Sequence, residues 1–201
     1  MSIVLAVTGG IGSGKSEVCR ILADCGMTAQ YNADARAKAL YLEVPGLLDK
    51  IEESLGCTVR DEQGNFVPAL LGKRIFNDNV ALGKVEDLLF PAMIEDFDRF
   101  VKSCDSQIVV FESATFLEKP QFKGFADKVL LVDAPFETRL ARACARDKAS
   151  EEAVMSRMRS QQLMNRLSAG EKDERIDYII VNDSTREQLK EKVMKLLTQI
   201  R

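Results

Sequence analysis

Two rhythms of hydrophobic and polar residues run along this chain. Residues 3–7 (IVLAV) are an unbroken apolar run stopped by glycine, which predicts a buried strand. Val18, Ile21, Leu22 and Cys25 then recur at helical spacing from Ser16 to Cys25, and Gly26 ends that helix. MTAQYNAD reads as a second short extended segment and ARAKALYL as helix again. From 45 to 103 the pattern changes: Pro45, Gly46, Gly56 and the turn DEQGN punctuate helical pieces, and no central strand is evident. Pro68 suits the first turn of a helix reaching Phe76. An amphipathic stretch from about Val80 to Val101 follows, which Pro91 is expected to bend or restart.

Strand-like runs return at 107–113 (QIVVFES), 127–134 (DKVLLVDA) and 177–182 (DYIIVN). Helical patterns fall at about 136–147, at 151–166 and from Thr185 to Leu197. Near-continuous apolar strands alternating with helices predict a parallel sheet covered on both faces, the α/β doubly wound class. The expected organisation is one domain. Its core lies at about 1–34, 105–135 and 167–201, with a helical insertion at 35–104 and a helical lid at 136–166.

Composition narrows the chemistry. The chain has 201 residues, 46% hydrophobic and 29% charged, with net charge −3. That supports one well-buried core and lacks the basic footprint of a general nucleic-acid binder. No apolar run reaches membrane-spanning length, and the opening MSIVLAVTGG has no basic n-region. A cytoplasmic protein with neither membrane nor nucleic-acid partner is expected, and a monomer is favoured. Histidine is absent, and Cys19, Cys25, Cys57, Cys104 and Cys144 form no C-x-x-C pair, which excludes the common zinc patterns and His-dependent nucleophilic catalysis. Reduced, buried thiols are the expectation, and any general base is a carboxylate, lysine, tyrosine or cysteine.

Against that background, GGIGSGKS from Gly9 to Ser16 matches G-x-x-x-x-G-K-S/T between a predicted strand and a predicted helix, the context of a phosphate-binding loop. Gly9, Gly10, Ile11, Gly12, Ser13, Gly14, Lys15, Ser16 and Glu17 are therefore the candidate nucleotide contacts. Lys15 is expected at the β- and γ-phosphates of ATP and Ser16 on Mg²⁺. Glu112, closing a strand beside the loop, is a second candidate for the ion or its waters, and Asp34 lies just past the second extended segment. No guanine-reading N-K-x-D follows a later strand. Between Phe136 and Arg166, seven basic residues face four acidic ones, a local net of +3. Arg139, Arg142 and Arg146, at i, i+3 and i+7, are expected along one helical face turned to phosphate. Size, insertion and arginine-rich lid together suit a small-molecule kinase.

The ordered set AVTGGIGSGKSEV, NADARAKAL, DEQGNFVPALLGKRIFND, FESATFLE, RACARDKASEEAVMSRMRSQ and DYIIVND resembles the dephospho-CoA kinase family across the whole chain. The resemblance implies phosphorylation of the ribose 3′-hydroxyl of dephospho-CoA by ATP. By the same resemblance, Asp34 is the catalytic carboxylate, Arg146 a lid arginine on the phosphates, and Asn182 a residue near the nucleotide base. Asn32, Glu17, Pro68, Phe90 and Ala114 stand where the family pattern has other residues. Two other readings stay open: another small-metabolite or nucleoside-monophosphate kinase, and a nucleotide-binding regulator without turnover.

Overall fold

The computed structural model describes residues 2–76 and 78–200. The chain divides into two compact units. One comprises the chain up to Asn32 together with everything from Cys104 onward, and the other is Ala33–Ser103.

The first unit is built on β1 (Ile3–Thr8), β2 (Thr28–Asn32), β3 (Ile108–Glu112), β4 (Lys128–Asp133) and β5 (Tyr178–Val181). All five are parallel, in the order β2-β3-β1-β4-β5. This is the doubly wound α/β sheet that the apolar runs imply. On one face Leu5, Val7, Val110, Leu130, Val132 and Ile180 pack against two helices, α1 (Lys15–Asp24) and α9 (Arg186–Ile200). Those helices turn Val18, Ile21, Leu22, Leu189 and Val193 inward. Fully burying each such side chain contributes ~1.5–3 kcal/mol, which is what selects this face of each helix. The opposite face is aromatic: Phe111 of β3 stacks on Tyr31 of β2 with centroids 5.4 Å apart. Phe116, Phe122 and Phe125, from two short 3₁₀ turns after β3 and the chain following them, meet the same ring edge-on.

After β4 come α6 (Phe136–Asp147), α7 (Glu151–Arg159) and α8 (Gln162–Ser168). The sequence pattern reads 151–166 as one helix, but α7 is capped at Ser160 and Gln161 leaves helical geometry, which divides it. Gln161 has φ −80° and ψ 92°, an extended conformation that starts α8 afresh. Lys148 closes α6 in the left-handed region, at φ 50°, and so separates it from α7.

The second unit is helical: α2 (Ala33–Glu43), α3 (Leu47–Leu55), α4 (Pro68–Ile75) and α5 (Asn79–Ser103). Its core takes Leu40, Ile51, Val59, Val85, Met93 and Phe97. Arg36 ties α2 to α5 through Asp96 at 2.8 Å and also meets Glu43 at 2.7 Å. α5 runs through Pro91 as one helix rather than restarting there. Proline removes a single helical N–H, and the buried Leu89, Phe90 and Met93 on either side hold the helix together across that gap.

Candidate active site

The loop from Gly9 to Ser16 joins β1 to α1 at the carboxyl end of the sheet, where parallel α/β proteins bind ligands. α1 opens at Lys15, and its N-cap, Gly14, has no side chain to satisfy the first-turn amides. Those amides and the positive end of the helix are suited to an anion. Gly14 sits at φ 93°, and a Cβ there would collide with the side-chain amide of Asn182. Gly12, at φ 76°, leaves no room for a Cβ beside the Arg139 carbonyl. Both glycines are thus fixed by close neighbours as well as by backbone conformation.

Lys15 Nζ donates to the carbonyls of Gly9 at 2.8 Å and Gly10 at 3.0 Å, so its charge lies folded over the loop. Ser16 Oγ donates to Glu112 Oε1 at 2.7 Å, and Asn32 Nδ2 donates to Glu112 Oε2 at 2.7 Å. The Cys19 thiol is buried near the Glu112 carboxylate. Burial first, then that carboxylate, push its ionisation far above the ordinary thiol range. It stays protonated and is not a nucleophile.

Of the other residues singled out from the sequence, Asn182 is buried and its Nδ2 donates to the Ser13 carbonyl at 2.9 Å. Its backbone N–H donates to the Asp133 carbonyl at 2.7 Å, and its own carbonyl accepts from Arg142 Nη1 at 3.2 Å. Asn182 thus ties the end of β5 to the phosphate loop. Arg142 lies beside it, whereas Arg146 lies apart, chelating its neighbour Asp147 through Nε at 2.7 Å and Nη2 at 3.1 Å. Arg157 shares that carboxylate at 2.7 Å, and the two guanidiniums hold Asp147 well below the usual carboxylate range. Glu17 is engaged by Arg20 on α1 and by Arg186 of α9 at 2.7 Å, which binds α1 to α9. Asp34 is in the first turn of α2, within the second unit.

Two loop contacts were not legible from spacing. Gln161, at the break between α7 and α8, is 8% exposed and accepts a hydrogen bond from the Ile11 N–H at 2.8 Å. Arg139 is buried with its guanidinium against Gly10, and Asp133 lies 3.7 Å from its Nε. The i, i+3, i+7 spacing predicts a helical face turned to phosphate, not a buried side chain. The signal that sets Arg139 apart is Gly10 and Gly12, whose missing side chains make room for it. For Gln161 the sequence carries no such signal.

Over residues 3–188 the chain matches the family described as Dephospho-CoA kinase. It is 36% identical over 160 residues to a dephospho-CoA kinase of Porphyromonas gingivalis, covering 80% of this chain and 78% of that one. A Chlorobaculum tepidum protein of the same name is 34% identical over 199 residues, covering 96% of this chain and 92% of its own. Among solved structures, TT1252 from Thermus thermophilus superposes with a TM-score of 0.83 at 24% identity. That match covers 100% of this chain and 98% of the other, a likeness of fold.

Proposed function

The chain belongs to the dephospho-CoA kinase family, and from that premise we propose that it transfers the γ-phosphoryl group of ATP to the ribose 3′-hydroxyl of dephospho-CoA, giving coenzyme A and ADP. The observation that carries this reading is the Gly9–Ser16 loop at the start of α1, with Lys15 lying over it and Ser16 bonded to Glu112. The loop amides and Lys15 receive the β- and γ-phosphates, which draws the spreading negative charge into a fixed field of donors.

A hydroxyl and a carboxylate within 2.7 Å of each other supply the hard oxygens that magnesium prefers, so Ser16 and Glu112 fit the ion that phosphoryl transfer requires. When bound, it neutralises charge on the phosphate oxygens. Asp34 is the general base. Its carboxylate orients the ribose hydroxyl and takes the proton as oxygen bonds to the γ-phosphorus and the bond to the β-phosphate oxygen breaks. With no histidine in the chain, a carboxylate is the residue type suited to that role near neutral pH.

In the lid, Arg142 lies beside Asn182 at the loop and completes the phosphate contacts. Arg146 exchanges Asp147 for the transferring phosphoryl oxygens when the lid closes over substrate, excluding water. Asn182 borders the base end of the nucleotide, and Glu17 borders the loop from α1. The helical unit Ala33–Ser103 receives the pantetheine arm, whose binding energy positions the acceptor. The protein acts as a cytoplasmic monomer on small molecules. No helix among the described residues is long and apolar enough to cross a membrane.

Steady-state rates with ATP and Mg²⁺ against dephospho-CoA, adenosine and AMP, read as ADP release, test the reading. Dephospho-CoA is expected to give by far the highest kcat/KM. Equal or better use of AMP would move the protein to the nucleoside-monophosphate kinases, and no ADP release from any acceptor would make it a binding protein without turnover.

A further inference from the structure

Asn32 is the last residue of β2 and Glu112 the last of β3, and the two are partners in the parallel register. Register partners on neighbouring strands project to the same side of a sheet, so the amide and the carboxylate meet side by side at the strand ends. Asn32 Nδ2 donates to Glu112 Oε2 at 2.7 Å while Ser16 Oγ donates to Oε1 at 2.7 Å. At that separation the Asn32 group facing the carboxylate is its NH₂, because an amide oxygen would set lone pairs against lone pairs. Each oxygen of Glu112 is therefore held by an uncharged donor. Ser16 spends its proton on Oε1, which leaves its lone pairs directed elsewhere.

Glu112 is the acid bonded to Ser16. Among the described residues, no group of three or more His, Cys, Asp or Glu side chains could hold a metal ion. Magnesium gives up its waters reluctantly and is generally held by one or two carboxylates together with substrate phosphates. One carboxylate, already hydrogen-bonded on both oxygens, is a weak cation site until phosphate oxygens join it.

We propose that Asn32 is a positioning residue for Glu112: its amide fixes the carboxylate before any ligand arrives, and its neutrality makes divalent-ion binding at Ser16 and Glu112 conditional on bound nucleotide. This rests on the reading of Ser16 and Glu112 as the ion's protein oxygens. It also accounts for an uncharged residue at a strand end facing the phosphate loop: the same side chain that orients the acid keeps the site from collecting cations before nucleotide binds.

The test uses Mn²⁺ as a spectroscopic probe on the full chain, with free Mn²⁺ read by electron paramagnetic resonance in the absence of nucleotide. Wild-type protein is expected to show binding too weak to saturate at millimolar Mn²⁺. Asn32→Asp should tighten it by at least ~10-fold, and Glu112→Gln in that background should abolish the gain, as expected when a neighbour of a metal-binding group is changed. The second arm is Asn32→Ala, which removes the amide without adding charge. It should lower kcat ~10-fold while the KM for ATP stays near wild type. An Asn32→Asp protein that binds Mn²⁺ no better than wild type overturns the proposal, as does an Asn32→Ala protein of undiminished kcat. The underlying reading has a separate failure: Glu112→Gln with an unchanged Mg²⁺ dependence of turnover would remove Glu112 from the ion site altogether.

Discussion

Replacing Gln161 by leucine removes the side-chain amide, and with it the hydrogen-bond acceptor, and leaves an apolar side chain in its place. Gln161 Oε1 takes the Ile11 N–H at 2.8 Å, and the glutamine is 8% exposed, so water has little access to the oxygen's side of the bond. A net intramolecular hydrogen bond is worth ~0.5–1.5 kcal/mol, and a stranded buried donor costs ~1–3 kcal/mol. Ile11 is only half-buried, so part of its N–H regains water and the lower half of that range applies, ~1–2 kcal/mol in all. For a chain of this size each kcal/mol moves Tm by ~2–4 °C, which gives a fall of roughly 2–8 °C by thermal melt. Because the lost bond joins the α7–α8 break to the phosphate loop, ATP affinity should drop as well. Losing ~1–1.4 kcal/mol of loop preorganisation weakens Kd by about 5–10-fold in calorimetric titration. Hydrogen exchange at the Ile11 amide supplies the direct readout and should accelerate. A Gln161→Leu protein that keeps Ile11 protected, with Tm and Kd unchanged, would refute the view that this bond seats the loop.

Lys15→Ala should cost at least ~10²-fold in kcat/KM, the scale of losing a charge-stabilising donor, with the melting curve preserved; wild-type kinetics in that variant would remove the lysine from catalysis. Asp34→Asn should lower kcat by ~10²-fold or more while ATP binding by titration survives, and a collapse of ATP binding would instead place Asp34 in the nucleotide site. Arg146→Lys should impair turnover far more than stability, because lysine lacks the planar fork; full activity would leave Arg146 as a partner of Asp147 alone. Asp173 is held down to about 2 by the Arg175 guanidinium, with Arg166 also nearby. Its depressed folded-state pKa contributes stability above the ordinary carboxylate pKa that is lost as pH falls through about 2. Asp173→Asn should therefore lower Tm at pH 7 and converge with wild type in strong acid; a difference independent of pH would refute the ion-pair account.

The strands and most helices were legible because each depends on local patterning: apolar runs for β1, β3 and β4, and i, i+3, i+4 spacing for α1. The loop was legible because Gly9, Gly12, Gly14, Lys15 and Ser16 lie within eight positions of one another. The break at Ser160 and Gln161 was not, since nothing in MSRMRSQQLM departs from a helical pattern. Gln161 leaves the helix to reach Ile11, a partner 150 positions away. Pro91 does not restart the helix for the same kind of reason: packing of its neighbours outweighs one missing donor. Among the arginines, one spacing produced three environments. Arg139 is buried against the loop, Arg142 meets a backbone carbonyl, and Arg146 is bound to the residue beside it. Periodicity assigns a face to a residue, whereas burial and pairing depend on what the rest of the chain brings to that face.

The crossover between the neighbouring strands β2 and β3 is the whole of the unit Ala33–Ser103. A parallel crossover requires only about a dozen residues, so the chain must close a far longer loop before these two strands can pair. Loop-closure entropy grows with the logarithm of the length, ~0.6 kcal/mol for each doubling, but it falls due before the sheet returns any stabilisation. Helices α2 to α5 can lower that barrier by folding first on contacts of short sequence separation, which shortens the free chain between Asn32 and Cys104. The order of events in folding is then set outside the sheet. A substitution at the buried Phe97 in α5, which lies outside the sheet, would slow the pairing of β2 with β3 by leaving the intervening chain slack.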